Sequence, residues 1–100
     1  SASLLQGKPA SAVVSCRRGG ASSAYEQLCK FFQMSNMPLV TSQYWNQVHG
    51  NTPDEVRRDE EGLQTMRTLA DNMAWMLYSF KAAGLPIPER EPRLRTNFIR

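Results

Sequence analysis

Apolar and polar positions divide the chain into short runs and longer helical stripes. Residues 11–15, Ser-Ala-Val-Val-Ser, are apolar on both faces. That pattern predicts a short strand over residues 10–15, of the kind buried inside a parallel sheet. From Ala21 to Met34 the apolar residues Tyr25, Leu28, Cys29 and Phe32 recur at helical spacing and predict one buried stripe. Asn36 is placed to close that helix, and Met-Pro-Leu-Val-Thr-Ser at 37–42 predicts a second strand. Strand, helix, strand is the unit of a parallel sheet, so the two strands are expected as parallel neighbours joined by a right-handed crossover. Ahead of them, residues 2–6 read as the last turn of a helix, with Gly7 as its stop and Pro9 forbidding continuation.

Residues 43–52, Gln-Tyr-Trp-Asn-Gln-Val-His-Gly-Asn-Thr, read as an aromatic loop. Thr52, followed by Pro53, Asp54 and Glu55, is a strong helix start: a cap, a proline in the first turn, and acids at the positive end. A long helix is expected from about Asp59 to Ala83. Leu63, Met66, Ala70, Met73, Leu77 and Phe80 form its stripe, widened by Leu69 and Met76. Met66, Met73 and Met76 read as packing residues of a core or a subunit contact. Gly84 stops the helix, and Pro86, Pro88 and Pro92 prevent a restart. Residues 88–100 read as a charged tail whose one apolar anchor is Phe98-Ile99. Two strands leave both sheet edges open, and the long helix offers more apolar face than two strands can cover. The pattern therefore predicts half of a single α/β domain, completed by strands upstream or in another chain. Alone, the chain must pair with that half or with a second copy.

Bulk composition narrows the class without naming a function. One hundred residues, 41% of them hydrophobic, suit one small packed domain. Twelve Lys and Arg stand against nine Asp and Glu, and residues 89–100 hold four Arg against two Glu. A basic excess concentrated in the tail does not indicate a nucleic-acid partner. No apolar run approaches the roughly 18–20 residues of a membrane span, and the N-terminus lacks the basic-then-apolar order of a signal peptide. The absence of an initiator Met is read as processing, trimming or partial supply. Cys16 and Cys29 form no disulfide framework and read as reduced thiols in a cytoplasm.

Candidate chemistry collects in the turn Ser15-Cys16-Arg17-Arg18-Gly19-Gly20, between the first strand and the first long helix. A tyrosine-phosphatase loop would need Cys, five residues and then Arg, but Ser22 stands where that Arg would be. Neither a phosphate-binding Walker loop nor a G-x-G-x-x-G fingerprint occurs. Arg17, Arg18 and a helix N-terminus would favour a thiolate at Cys16, but the single His, His49, is distant in sequence. What the turn offers is backbone: Gly19 and Gly20 permit close approach of a flat or anionic ligand, and the N–H groups opening the helix point toward it. The residues by themselves equally allow a tight turn with solvated arginines. Tyr44, Trp45 and His49 pose the same choice: they cluster just past the second predicted strand, either lining a ligand or plugging a loop. Ligands of open parallel sheets sit at the carboxyl ends of strands, which would put both loops on one sheet edge. No metal site and no acid or base catalyst is indicated.

The stretches GKPASAVVSCRRGGASSAYEQL, MPLVTSQYWNQVHGNTPDEV, DEEGLQTMRTLADNMAWML and EREPRLRTNFIR resemble the C-terminal half of NADPH-dependent FMN reductases. These are flavodoxin-like proteins, and the resemblance runs along essentially the whole chain. It implies a doubly wound parallel sheet of order 2-1-3-4-5, in which residues 10–15 are the fourth strand and 37–42 the fifth. It further implies that Ser15, Cys16, Arg17, Arg18, Gly19 and Gly20 run beside the FMN ring, with backbone N–H groups tuning a flavin that performs the hydride chemistry. Tyr44, Trp45 and His49 would line the nicotinamide or acceptor side. The FMN phosphate loop and the other ring-contacting loop would lie upstream, so these residues alone are not expected to hold FMN tightly. The implied function is an FMN-dependent NAD(P)H oxidoreductase of the FMN or quinone reductase type, oligomeric, with NADPH as co-substrate. Two alternatives stand beside it: a non-enzymatic flavodoxin-like module or fragment needing an N-terminal half, and an unrelated α/β binding domain using its Arg-rich tail for an anionic partner.

Overall fold

A computed structural model of the protein describes residues 2–92 and 94–96. The elements are α1 (Ala2–Leu5), β1 (Val14–Cys16), α2 (Ala21–Met34), β2 (Gln47–His49), α3 (Pro53–Arg58) and α4 (Glu60–Ala83). The protein is mixed α/β, with one two-stranded parallel sheet among the described residues. Phe98-Ile99, the expected tail anchor, lies outside them.

Pairing of the two strands comes in two instalments. Ala10 bridges Leu39 in parallel, with Ala10 N–H donating to the Pro38 carbonyl (2.9 Å) and Val40 N–H to the Ala10 carbonyl (2.8 Å). The second segment then leaves the sheet and returns, so that Val14, Ser15 and Cys16 stand beside Gln47, Val48 and His49. The expected second strand at 37–42 is thus reduced to a single bridge, and the regular ladder falls in what reads as loop. Buried polar side chains account for the difference. Asn46, with no solvent exposure, donates through Nδ2 to Ser11 Oγ (2.8 Å) and accepts at Oδ1 from Ser42 Oγ (2.7 Å). Ser11 Oγ in turn donates to the Val40 carbonyl (3.0 Å). Side chains therefore satisfy backbone and each other where a continuous ladder would run, and the excursion 41–46 is held in place.

Parallel register puts neighbouring side chains on a common face. Val14, Cys16, Gln47 and His49 share the face covered by α2, where Gln47 Nε2 donates to Ser22 Oγ (3.1 Å). Ser15 and Val48 share the other, where α4 packs with Gly62 against Val48. The predicted long helix holds, set off from α3 by Asp59, whose φ of −77° and ψ of 79° break the helical path. Thr52 Oγ1 caps α3 through the Glu55 N–H, and Asn36, at φ 56°, closes α2 in the left-handed conformation as its position predicts.

The two sheet edges differ. In a parallel ladder alternate residues point their backbone groups to opposite sides. On the outer side of β2, His49 N–H donates to Asp59 Oδ2 (2.8 Å), while Asp59 Oδ1 accepts from Gly62 N–H (3.0 Å). One carboxylate thus caps α4 and closes that edge. On the outer side of β1, the N–H groups of Val13 and Ser15 find no hydrogen-bond partner among the described residues. The buried apolar side chains are few and mostly small: Ala10, Ala12, Ala21, Cys29, Val40, Val48 and Leu69. Val13, just before β1, is 51% exposed, and Leu77 and Phe80 of α4 are half-exposed as well. The radius of gyration is 17.0 Å, against about 13 Å for a compact chain of this length.

Candidate functional site

β1 delivers the chain to the turn at its carboxyl end, but the ladder includes Cys16, so the turn proper is Arg17–Gly20. Ser15 points to the α4 face and Cys16, half-buried, to the α2 face. Arg17, Arg18 and Gly19 bend in the open, and Gly20 enters α2 at φ 89° and ψ −8°, a left-handed conformation that favours glycine. No side chain caps α2. Its first turn therefore presents the N–H groups of Ala21, Ser22 and Ser23 without helical acceptors, at the positive end of a 14-residue helix. A Cβ on Gly19 or Gly20 would meet no atom within 4 Å. A hollow of about 400 Å³ opens there, bounded by Arg18, Gly19, Gly20, the start of α2, Gln47 and His49.

A second cleft, of about 320 Å³, lies against the first. Tyr44 and Trp45 form one wall, their ring centroids 5.1 Å apart and tilted by 49°. Asp59, Glu61 and Thr65 from the start of α4 form the other, and Ser22, Gln47 and His49 belong to both cavities. The hydrogen bond between Gln47 and Ser22 is the shared wall. His49 Nδ1 stands 3.7 Å from Asp59 Oδ2. The Asp59 carboxyl is held below its ordinary value, first by the Gly62 N–H, then by the His49 N–H, with the imidazole adding a smaller pull. It is therefore an anion at neutral pH.

Of the residues singled out from the sequence, the structure gathers Arg18, Gly19, Gly20 and His49 around the first hollow, and Tyr44, Trp45 and His49 around the second. Ser15, Cys16 and Arg17 line neither. Tyr44 and Trp45 precede β2 instead of following the second strand, because the excursion 41–46 interrupts that strand. Of these three, His49 sits at a strand's carboxyl end as expected. The sequence reading missed Ser22, Gln47, Glu61 and Thr65. Asp59 was expected at the start of the long helix, but not as a wall of a cleft. Among the described residues no group of three or more His, Cys, Asp or Glu is placed to hold a metal ion, and no helix is long and apolar enough to cross a membrane. Comparison with protein-family models, with curated proteins and with solved structures finds no match.

Proposed function

We propose that the protein is the C-terminal half of a flavodoxin-like, FMN-dependent NAD(P)H oxidoreductase. The observation that carries this reading is the glycine turn at the carboxyl end of β1. It leaves open space over Gly19 and Gly20, aims three free N–H groups at that space, and adjoins an aromatic cleft across the Gln47–Ser22 wall. Those features fit the electron-rich edge of a flavin ring, which needs backbone donors and no intervening Cβ. They supply no enclosed cradle for its phosphate, which this reading assigns to the N-terminal half. The flavin, when bound, supplies hydride chemistry between a nicotinamide and an acceptor. The chain's own work is positional: Gly19 and Gly20 admit the ring, the N–H groups of the first turn of α2 stabilise charge at its edge, and Arg17 and Arg18 add positive potential. Tyr44, Trp45 and His49 orient the nicotinamide or the acceptor and exclude water from one side. The unpaired edge of β1 and the half-exposed Val13 support a missing parallel strand and a covering helix, contributed by that N-terminal half. FMN and NADPH are thus the cofactor and co-substrate of this reading, and an oligomer its assembly.

Titration with FMN, followed by flavin fluorescence, tests the reading. The assembled protein is expected to quench the flavin and to oxidise NADPH. Gly19→Val should weaken FMN binding at least tenfold, since φ at Gly19 lies outside the left-handed region and the new side chain enters the ring's space. Cys16→Ser should be mild; lost turnover with flavin retained would instead assign chemistry to the thiol. Substitution of Tyr44, Trp45 or His49 should raise KM for the substrate more than it lowers flavin occupancy. FMN bound without NADPH oxidation would favour the non-enzymatic module, and an unperturbed flavin would overturn both.

A further inference from the structure

The two cavities that share His49 are lined by opposite charges. Around the turn the charged wall is Arg18, joined by the positive end of α2, and no acid lines that hollow. Around the Tyr44–Trp45 cleft the charged walls are Asp59 and Glu61, and no Lys or Arg lines it. Arg57, on the helix just before, is engaged with Asp54 at 3.0 Å. Flat rings gain from the tilted aromatic pair, cations gain further from ring faces and carboxylates together, and anions are repelled. We propose that the Tyr44–Trp45 cleft is the acceptor subsite, and that it selects flat aromatic acceptors carrying no negative charge. The assignment as an acceptor subsite rests on the oxidoreductase reading; the charge selectivity of the cleft does not. Anionic parts of a dinucleotide belong, on this division, to the arginine side of the shared wall.

Two measurements test it separately. In the assembled flavoprotein at saturating NADPH and low salt, kcat/KM is compared for an unsubstituted naphthoquinone, its sulfonate and a trimethylammonium derivative. The sulfonate is expected to be the poorest by about tenfold, and Glu61→Gln should narrow the sulfonate-to-neutral ratio by about fivefold. That is the factor two unit charges about 4 Å apart exchange in water. Comparing ratios between wild type and variant cancels the quinones' differing redox potentials. The narrowing should fade as salt rises. An unchanged ratio in Glu61→Gln, or a sulfonate preference in the wild type, overturns the proposal. The second measurement needs no flavin: Trp45 fluorescence, in a Trp75→Phe background, follows binding of neutral and sulfonated naphthalenes. Tighter binding of the neutral ring is expected. Equal binding overturns the charge selectivity, whereas the expected preference in a protein that never engages FMN or NADPH defeats the oxidoreductase reading and leaves the cleft's selectivity standing.

Discussion

Alone in solution, the chain should lack a stable monomeric state. The magnitude follows from its surface. The accessible area is 8204 Å² for 11.3 kDa, whereas a compact monomer of that mass exposes about 5,700 Å². The excess, about 2,500 Å², exceeds what a standard protein–protein interface buries in total, roughly 1,600 Å². Part of it belongs to the extended segment after Gly84, yet half of the excess would still amount to a substantial interface. Val13 reports on the open side most directly. It immediately precedes β1, beside an edge whose N–H groups find no partner among the described residues, and is 51% exposed. Burying the remaining half of a valine is worth about 1 kcal/mol, and forcing a lysine into the same place costs more. Sedimentation velocity over a dilution series should show the chain alone as a dimer or larger species, or as a monomer without a cooperative urea transition. Val13→Lys should weaken its association at least tenfold, and Leu77→Lys, on half-exposed α4, should act in the same direction. A dilute monomer that unfolds cooperatively would refute the reasoning. So would association indifferent to Val13→Lys.

Three further outcomes follow from the Asp59 junction and the Asn46 network. Gly62→Ala should destabilise the protein by about 1–2 kcal/mol, read from its urea midpoint, although alanine is the better helix former by about 1 kcal/mol. A Cβ at Gly62 would run into the Asp59 carboxylate and come within 2.9 Å of Val48 Cγ1. Asp59→Asn puts an amide NH2 where one of the two accepting oxygens stood and removes the charge, so it should cost about 1–3 kcal/mol at neutral pH. Because folding depresses the Asp59 pKa below its ordinary 3.8, that contribution is present above this value and is lost as pH falls through the folded pKa. Wild type and Asp59→Asn should therefore converge in acid, and a difference that grows there would contradict the assignment. Asn46→Ala should cost about 1–2 kcal/mol by removing the Nδ2 donor to Ser11 Oγ and leaving the Ser42 hydroxyl only the Tyr44 carbonyl as acceptor, and amide exchange should accelerate at Val14 and Val40 if the excursion loosens as expected.

The sequence by itself determined the helices and the order of the elements. The stripe Tyr25, Leu28, Cys29, Phe32 marked α2, although Leu28 is exposed and of the four only Cys29 is fully buried, and Asn36 and Gly84 marked where α2 and α4 stop, because helical period and stop signals are local properties of the chain. Parallel pairing, too, was legible from strand–helix–strand order. Only the tertiary structure decided where the second strand lies. Leu39 and Val40 look like strand and make a single bridge, while Gln47-Val48-His49, with one apolar residue, forms the ladder. Strand pairing is a property of two segments in register, and here Asn46 sets that register through Ser11, thirty-five residues away. The same holds for the candidate site. The glycine turn and the aromatic pair each announced themselves in a few consecutive residues. Their meeting at the Gln47–Ser22 wall, and the acidic side of the cleft, arise because β2 returns beside β1 and Asp59 folds back onto its edge, a contact that no local pattern encodes.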